Sequence, residues 1–171
     1  MRKSTKTLIL RRFLFALIIL LAHILQNSRG VFPSIFGIHA NLLLPLTVCI
    51  GMFEREVAGA FLGLFAGVLW DTVSGLGDGY NALFLMLASA LCGLLITLVM
   101  RNNLMTALLL SAGTCLVYAI LYVVFFVLAE GVDSSGYLLL RYYLPNALYS
   151  FIFTPIWYLL VRSVMRKTKL D

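Results

Sequence analysis

Long apolar runs, broken by short polar or basic insertions, make up most of this chain. Six runs are legible, at about 13–26, 35–53, 57–73, 80–100, 104–128 and 138–161. Most have the roughly 17–25 residues that cross hydrocarbon as an α-helix. The first is short unless residues 8–10 extend it and Arg11 and Arg12 snorkel to the interface. The pattern predicts an all-α integral membrane protein, a bundle of six transmembrane helices forming one polytopic domain over residues 1–171. No internal repeat and no low-complexity tract interrupts it. The first run begins like a signal peptide, but Leu25, Gln26, Asn27, Ser28 and Arg29 make no small-x-small cleavage site, so a retained helix is expected.

Composition agrees with the pattern. Of 171 residues, 62% are apolar and 12% charged, with mean hydropathy +1.01. Soluble domains average roughly 45–50% apolar and about 25% charged. A soluble fold of this size lacks the charges to cover so much apolar surface, which excludes most soluble enzymes and secreted disulfide scaffolds. The net charge of +6 is a reason to consider nucleic acid, until the placement of the charges is read. Arg2, Lys3, Lys6, Arg11 and Arg12 crowd the start, and Arg162, Arg166, Lys167 and Lys169 the end. Basic clusters flanking apolar runs suit cytoplasmic anchoring and anionic headgroups, so the expected contact is the lipid bilayer and not nucleic acid.

Orientation follows from the same residues. With both termini in the cytoplasm, the nine terminal basic residues, Arg55 and Arg101 lie inside, which is 11 of 13. Arg29 and Arg141 remain outside, with Asp71, Asp78, Glu130 and Asp133 near the outer boundary. Trp70, Tyr80, Tyr137, Tyr142 and Tyr143 fall at that level too, as an aromatic belt would.

The densest information lies at residues 59–83. Gly59, Gly63, Gly67 and Asp71 recur every fourth residue, one slowly rotating stripe on a helix. Glycines so placed admit another helix backbone, either within the bundle or from a partner protein. Asp71 ends the stripe, as a local cap or as a group facing a central polar cavity. Ser74, Gly75, Gly77, Asp78 and Gly79 follow as a glycine-rich turn, with Asp78 a possible cap for the next helix and Asn81 just beyond. His23, Gln26, His39 and Asn41 belong to the same outer level and could meet Asp71 and Asn81, as ordinary interhelical hydrogen bonding or as a solute or partner pocket.

Chemistry beyond this is sparse. There is no GxSxG, HExxH or P-loop motif, and no paired intramembrane carboxylates, so no enzyme, no catalytic residue and no cofactor is expected. Two histidines and one aspartate on different helices make a poor zinc site. Cys49, Cys92 and Cys115 stand apart within apolar runs and read as small core residues. Pro45 and Pro155 lie inside the second and sixth runs, where each is expected to kink its helix.

These residues resemble the rod-shape-determining MreD family over most of the chain. The resemblance is carried by Leu25-Gln26-Asn27-Ser28, by Asn41-Leu42-Leu43-Leu44, and most densely by Gly59, Gly63, Gly67, Asp71, Ser74-Gly75 and Gly79-Tyr80-Asn81-Ala82-Leu83. Pro155 followed by an apolar run and a basic tail is also similar. The chain departs where the family often has Pro-Asp or Pro-Asn and this sequence has His39-Ala40-Asn41. The resemblance implies a non-enzymatic inner-membrane subunit of the bacterial elongation machinery, associated with MreC and through it with MreB, RodA and a class B penicillin-binding protein. The family also looks like the six-helix vitamin-binding subunit of energy-coupling-factor transporters. That alternative needs an enclosed outer pocket, which His23, Gln26, His39, Asn41 and Asp71 could line. Against it, the outer loops are short for lids and the first helix carries no alanine-xxx-alanine stripe.

Overall fold

The computed structural model of the chain describes residues 2–28, 41–74, 79–127 and 144–168. They form six helices: α1 (Arg2–Asn27), α2 (Leu43–Ser74), α3 (Tyr80–Leu98), α4 (Leu104–Tyr122), α5 (Leu144–Ile152) and α6 (Thr154–Lys167). A π-helical turn, Val123–Val127, prolongs α4. No strand occurs among the described residues.

α2 is a hairpin. Its helical geometry breaks at Arg55, which has φ 68° and ψ 175°. On a straight helix Gly51 and Gly59 would stand about 12 Å apart along the axis, at roughly 1.5 Å per residue. Here a Cβ on Gly59 would lie 3.0 Å from the Gly51 Cα. The chain therefore reverses at the Glu54-Arg55-Glu56 triplet, where the apolar pattern is interrupted, and residues 43–54 pack back against 56–74. The runs expected at 35–53 and 57–73 are the two arms of this hairpin. The first arm starts later than expected, at Leu43, with residues 35–40 outside the described part.

The two prolines behave differently from one another. The kink expected at Pro45 is absent, because α2 begins at Leu43 and Pro45 falls in the first helical turn. An N–H there has no intrahelical acceptor, so proline costs little. The last run does break: α5 ends at Ile152, and α6 starts at Thr154 with Pro155 in its first turn. The Phe153 N–H turns back to the Ser150 carbonyl at 3.2 Å, closing α5 tightly before α6 starts. α1 is longer than expected, since Arg11 and Arg12 lie within the helix.

Among the described residues, four helical stretches are long and apolar enough to cross a bilayer: Lys6–Asn27, Leu43–Ser74, Tyr80–Leu98 and Leu104–Phe125. The third of these is the folded-back α2 arm's neighbour in space as well as in sequence. α5, with 9 residues, and α6, with 14, are each shorter than the roughly 20 residues a spanning helix needs.

The first arm of α2 is the central post of the bundle. Residues 41–52 are buried without exception. A segment apolar on every side is stable only when it is enclosed. Phe15, Ile19 and Ala22 of α1, Leu62 and Ala66 of the second α2 arm, Leu85 of α3, Cys115 of α4, and Tyr158 and Val161 of α6 complete the core. Outward, α1 shows Phe13, Leu17, Leu21 and Ile24, and α3 and α4 show Leu87, Leu91, Leu109 and Leu116. So broad an apolar girdle is a liability in water and a match for acyl chains.

Candidate functional site

The polar residues sort to the two ends of the bundle. One end holds the start of α1, the Arg55 reversal, the 99–103 connection and the end of α6. Most of the described basic residues are here. Arg11 reaches the Glu54 carboxylate through its Nε, and Arg12 Nε lies 3.8 Å from the other carboxylate oxygen. The Glu54 side chain is almost fully buried, and a buried carboxylate needs such a partner. Asn102 ties the 99–103 connection to the hairpin by donating its Nδ2 to the Met52 carbonyl at 3.1 Å. Tyr158 Oη donates in turn to the Asn102 carbonyl at 3.4 Å.

The opposite end carries the residues that sequence reading grouped as an outer rim. Asp71 sits at the end of the second α2 arm and caps α3. Its Oδ1 accepts the Asn81 N–H at 3.2 Å and its Oδ2 accepts the Ala82 N–H at 2.9 Å. A carboxylate there satisfies two of the helix's orphan donors and faces the positive end of its dipole. Gly79 takes φ 70°, a left-handed conformation that glycine adopts without a Cβ penalty, and this brings the start of α3 under Asp71. Asn81 is fully buried. Its Nδ2 donates to Ser74 Oγ at 3.4 Å, and its Oδ1 accepts from Tyr118 Oη of α4 at 2.8 Å. Tyr118 also stacks on Trp70, with ring centroids 5.2 Å apart.

A second cluster closes the start of α2. Gln26 Oε1 accepts from the Leu42 N–H at 2.9 Å and the Leu43 N–H at 3.3 Å, so a side chain of α1 caps α2. The Asn41 N–H donates to Ser150 Oγ of α5 at 2.8 Å, and that hydroxyl donates to the Asn146 carbonyl at 2.8 Å. A cavity of about 20 Å³ lies among Asn41, Cys115, Tyr118, Asn146 and Ser150, so Tyr118 borders both clusters. That volume accommodates roughly one water molecule.

The structure thus joins Asp71, Ser74, Gly79 and Asn81 in one cluster, and Gln26 and Asn41 in another. His23 joins neither: its ring lies 3.3 Å from Asn27 Nδ2, one turn along α1. His39, Gly75 and Asp78 lie outside the described residues. Tyr118, Asn146 and Ser150 complete the rim although sequence reading did not group them with it. The available signal was their polarity inside or beside apolar runs, shared by Ser111 and Thr154, whose hydroxyls meet at 2.7 Å in the bundle interior.

The glycine stripe faces α3. A Cβ on Gly63 would run into the Leu85 carbonyl oxygen and lie 2.9 Å from Ser89 Cβ. One on Gly67 would strike the Ala82 Cα and lie 2.6 Å from the Ala82 nitrogen. One on Gly59 would lie 3.1 Å from Ser89 Oγ. Gly93 answers from α3, where a Cβ would stand 2.8 Å from the Arg55 carbonyl carbon. Ser89 sits between the arms of the hairpin and donates its hydroxyl to the Thr47 carbonyl at 3.1 Å. This is small-residue packing that brings helix backbones into direct contact.

Neither rim cluster offers a reactive set. Most of their oxygens and N–H groups pair with one another and with helix termini, the buried Asn41 Oδ1 being an exception, and no three of His, Cys, Asp or Glu converge as metal ligands among the described residues. Such an arrangement holds helices in place. Against known families, the model of the rod shape-determining protein MreD matches residues 1–168. The chain belongs to the MreD family. No curated protein and no solved structure matches it with significance. MreD is a membrane protein of the rod-shape system, and in this MreD chain the glycine–Asp71–Asn81 core that carried the resemblance is the α2–α3 junction.

Proposed function

We propose that this protein is a non-enzymatic, multi-pass subunit of the cell-elongation complex in the bacterial cytoplasmic membrane. It supports rod shape and lateral peptidoglycan synthesis by holding the membrane helices of partner proteins. The observation that carries this reading is the family match over residues 1–168, nearly the whole chain. The partners are MreC and, through it, MreB, together with RodA and a class B penicillin-binding protein. The whole of 1–171 acts as one membrane domain with six crossings and both termini in the cytoplasm. In that topology the arms of α2 are two crossings, and α5 with α6 the last. The inside then carries the Arg11–Glu54 pair, Arg55 and Arg101.

The glycine stripe of α2 is occupied by α3, so partner helices dock elsewhere, on the exposed apolar faces. The test is a mild-detergent pull-down of the C-terminally tagged protein from its native host, read by mass spectrometry. Recovery of MreC and the wall-synthesis enzymes is expected. Recovery of an ATPase pair with a coupling membrane subunit would overturn the reading and make the rim a solute site.

A further inference from the structure

α3 and α4 are joined by a short connection yet make little contact along their length. Between them an open-sided groove of about 390 Å³ runs along both helices. Its walls are Leu87, Leu91 and Leu95 of α3 and Leu109, Gly113 and Val117 of α4. The one hydroxyl in it, that of Thr114, already donates to the Leu110 carbonyl at 2.8 Å. Nothing lies within 4 Å of where a Gly113 Cβ would be, so the groove floor is open there.

At this end the lining stops at Leu95 and Leu109, about a helical turn short of the connection of residues 99–103 that joins the two walls, and Arg101 is exposed in that connection. Arg101 is the only charged residue from 79 to 129. Among the described residues it has no ion-pair partner. Beside it, α4 begins at Leu104 without a side-chain cap on its first N–H groups, which adds positive potential at the same point. An apolar channel with a lone cation in the connection beyond its end complements an amphiphile whose anionic head extends past its acyl chain.

We propose that the α3–α4 groove is a binding site for an anionic phospholipid, with an acyl chain in the groove and the phosphate at Arg101. The proposal rests on the membrane-embedded reading of this protein but not on the identity of its partners. The walls favour a lipid over a protein helix. Where helices of this chain approach closely, they do so through glycine and serine, as at Gly59, Gly63, Gly67, Ser89 and Gly93. The groove walls are mostly branched side chains, which keep a helix backbone at a distance but line a path for a flexible chain.

The test uses the full chain in nanodiscs with photoreactive phosphatidylglycerol or photoreactive phosphatidylcholine, each carrying its diazirine in the acyl chain. Labelling is expected to concentrate on Leu91, Leu109 and Val117. Gly113→Leu, which fills open space, should lower it at least about fivefold with an unchanged melting temperature. Arg101→Gln should lower phosphatidylglycerol labelling about fivefold, the equivalent of ~1 kcal/mol per basic residue at an anionic surface, and leave phosphatidylcholine labelling unchanged. Labelling spread equally over Phe13 and Leu17 of α1 and indifferent to Gly113→Leu would overturn the proposal. So would a photoreactive residue at position 109 that captures a partner protein's helix in native membranes. A pull-down lacking the elongation proteins would refute the proposed function and leave the labelling result standing.

Discussion

Asp71 shows how one carboxylate at this scale sets a helix in place. Its two oxygens take the Asn81 and Ala82 N–H groups, which have no acceptor within α3. Asp71→Ala should therefore cost about 0.5–2 kcal/mol, the range for losing a helix cap. Asp71→Asn keeps one acceptor and should cost less. Thermal unfolding of the purified protein, followed by size-exclusion fluorescence, gives the order wild type, Asn, Ala. Equal melting temperatures for all three would mean that the cap contributes nothing. Glu54 is the more demanding case. Its buried carboxylate faces Arg11 and, farther off, Arg12. Removing one member of such a pair leaves a buried charge uncompensated, at a cost of roughly 3–5 kcal/mol. Glu54→Gln should deplete the folded protein in membranes, and Arg11→Met combined with Glu54→Leu should restore most of it. A double variant worse than Glu54→Gln alone would show that the charges contribute independently.

At the scale of elements, the α2–α3 junction depends on the absence of side chains. Gly63→Leu and Gly67→Leu would push the α3 backbone away, since even a Cβ at either position meets main-chain atoms. Both variants should be degraded or aggregate in detergent, whereas Gly113→Leu on α4 should remain monodisperse. Monodisperse Gly63→Leu protein would require α3 to sit elsewhere. Much of this architecture was legible beforehand. Tyr80–Leu98 and Leu104–Tyr122 begin at the residues expected, because glycine and the Arg101-Asn102-Asn103 turn mark their limits. The reversal at Arg55 was legible from three charged residues in an apolar stretch. The partner of the glycine stripe was not, because spacing marks a face without saying what covers it. Nor could hydrophobicity separate the core from the lipid face. Leu85 is fully buried and Leu83 is 59% exposed, yet both are leucines in one helix. In lipid, unlike water, the same side chain suits both positions.

For the molecule as a whole, the distribution of charge is what the proposed topology rests on. The Arg11–Glu54 pair, the Arg55 reversal, the Arg101 connection and the basic end of α6 share one end of the bundle, and Asp71 with the rim lies at the other. Basic residues near membrane segments are retained on the cytoplasmic side, and the proposed topology, with this end of the bundle inside, rests on that rule. The three native cysteines are buried and so are poor targets for a bulky reagent, and their small side chains can be replaced to leave no background. In a variant with those three replaced by alanine, Arg101→Cys or Lys167→Cys should react with a membrane-impermeant maleimide in inverted vesicles and not in intact spheroplasts. Thr72→Cys, exposed beside Asp71, should show the reverse. Reaction of Arg101→Cys and Thr72→Cys from the same side would mean that the α2–α3 pair does not cross the bilayer as a unit. The hairpin at Arg55 would then be a feature of the fold without being a turn at the membrane surface, and the six-crossing topology would fail with it.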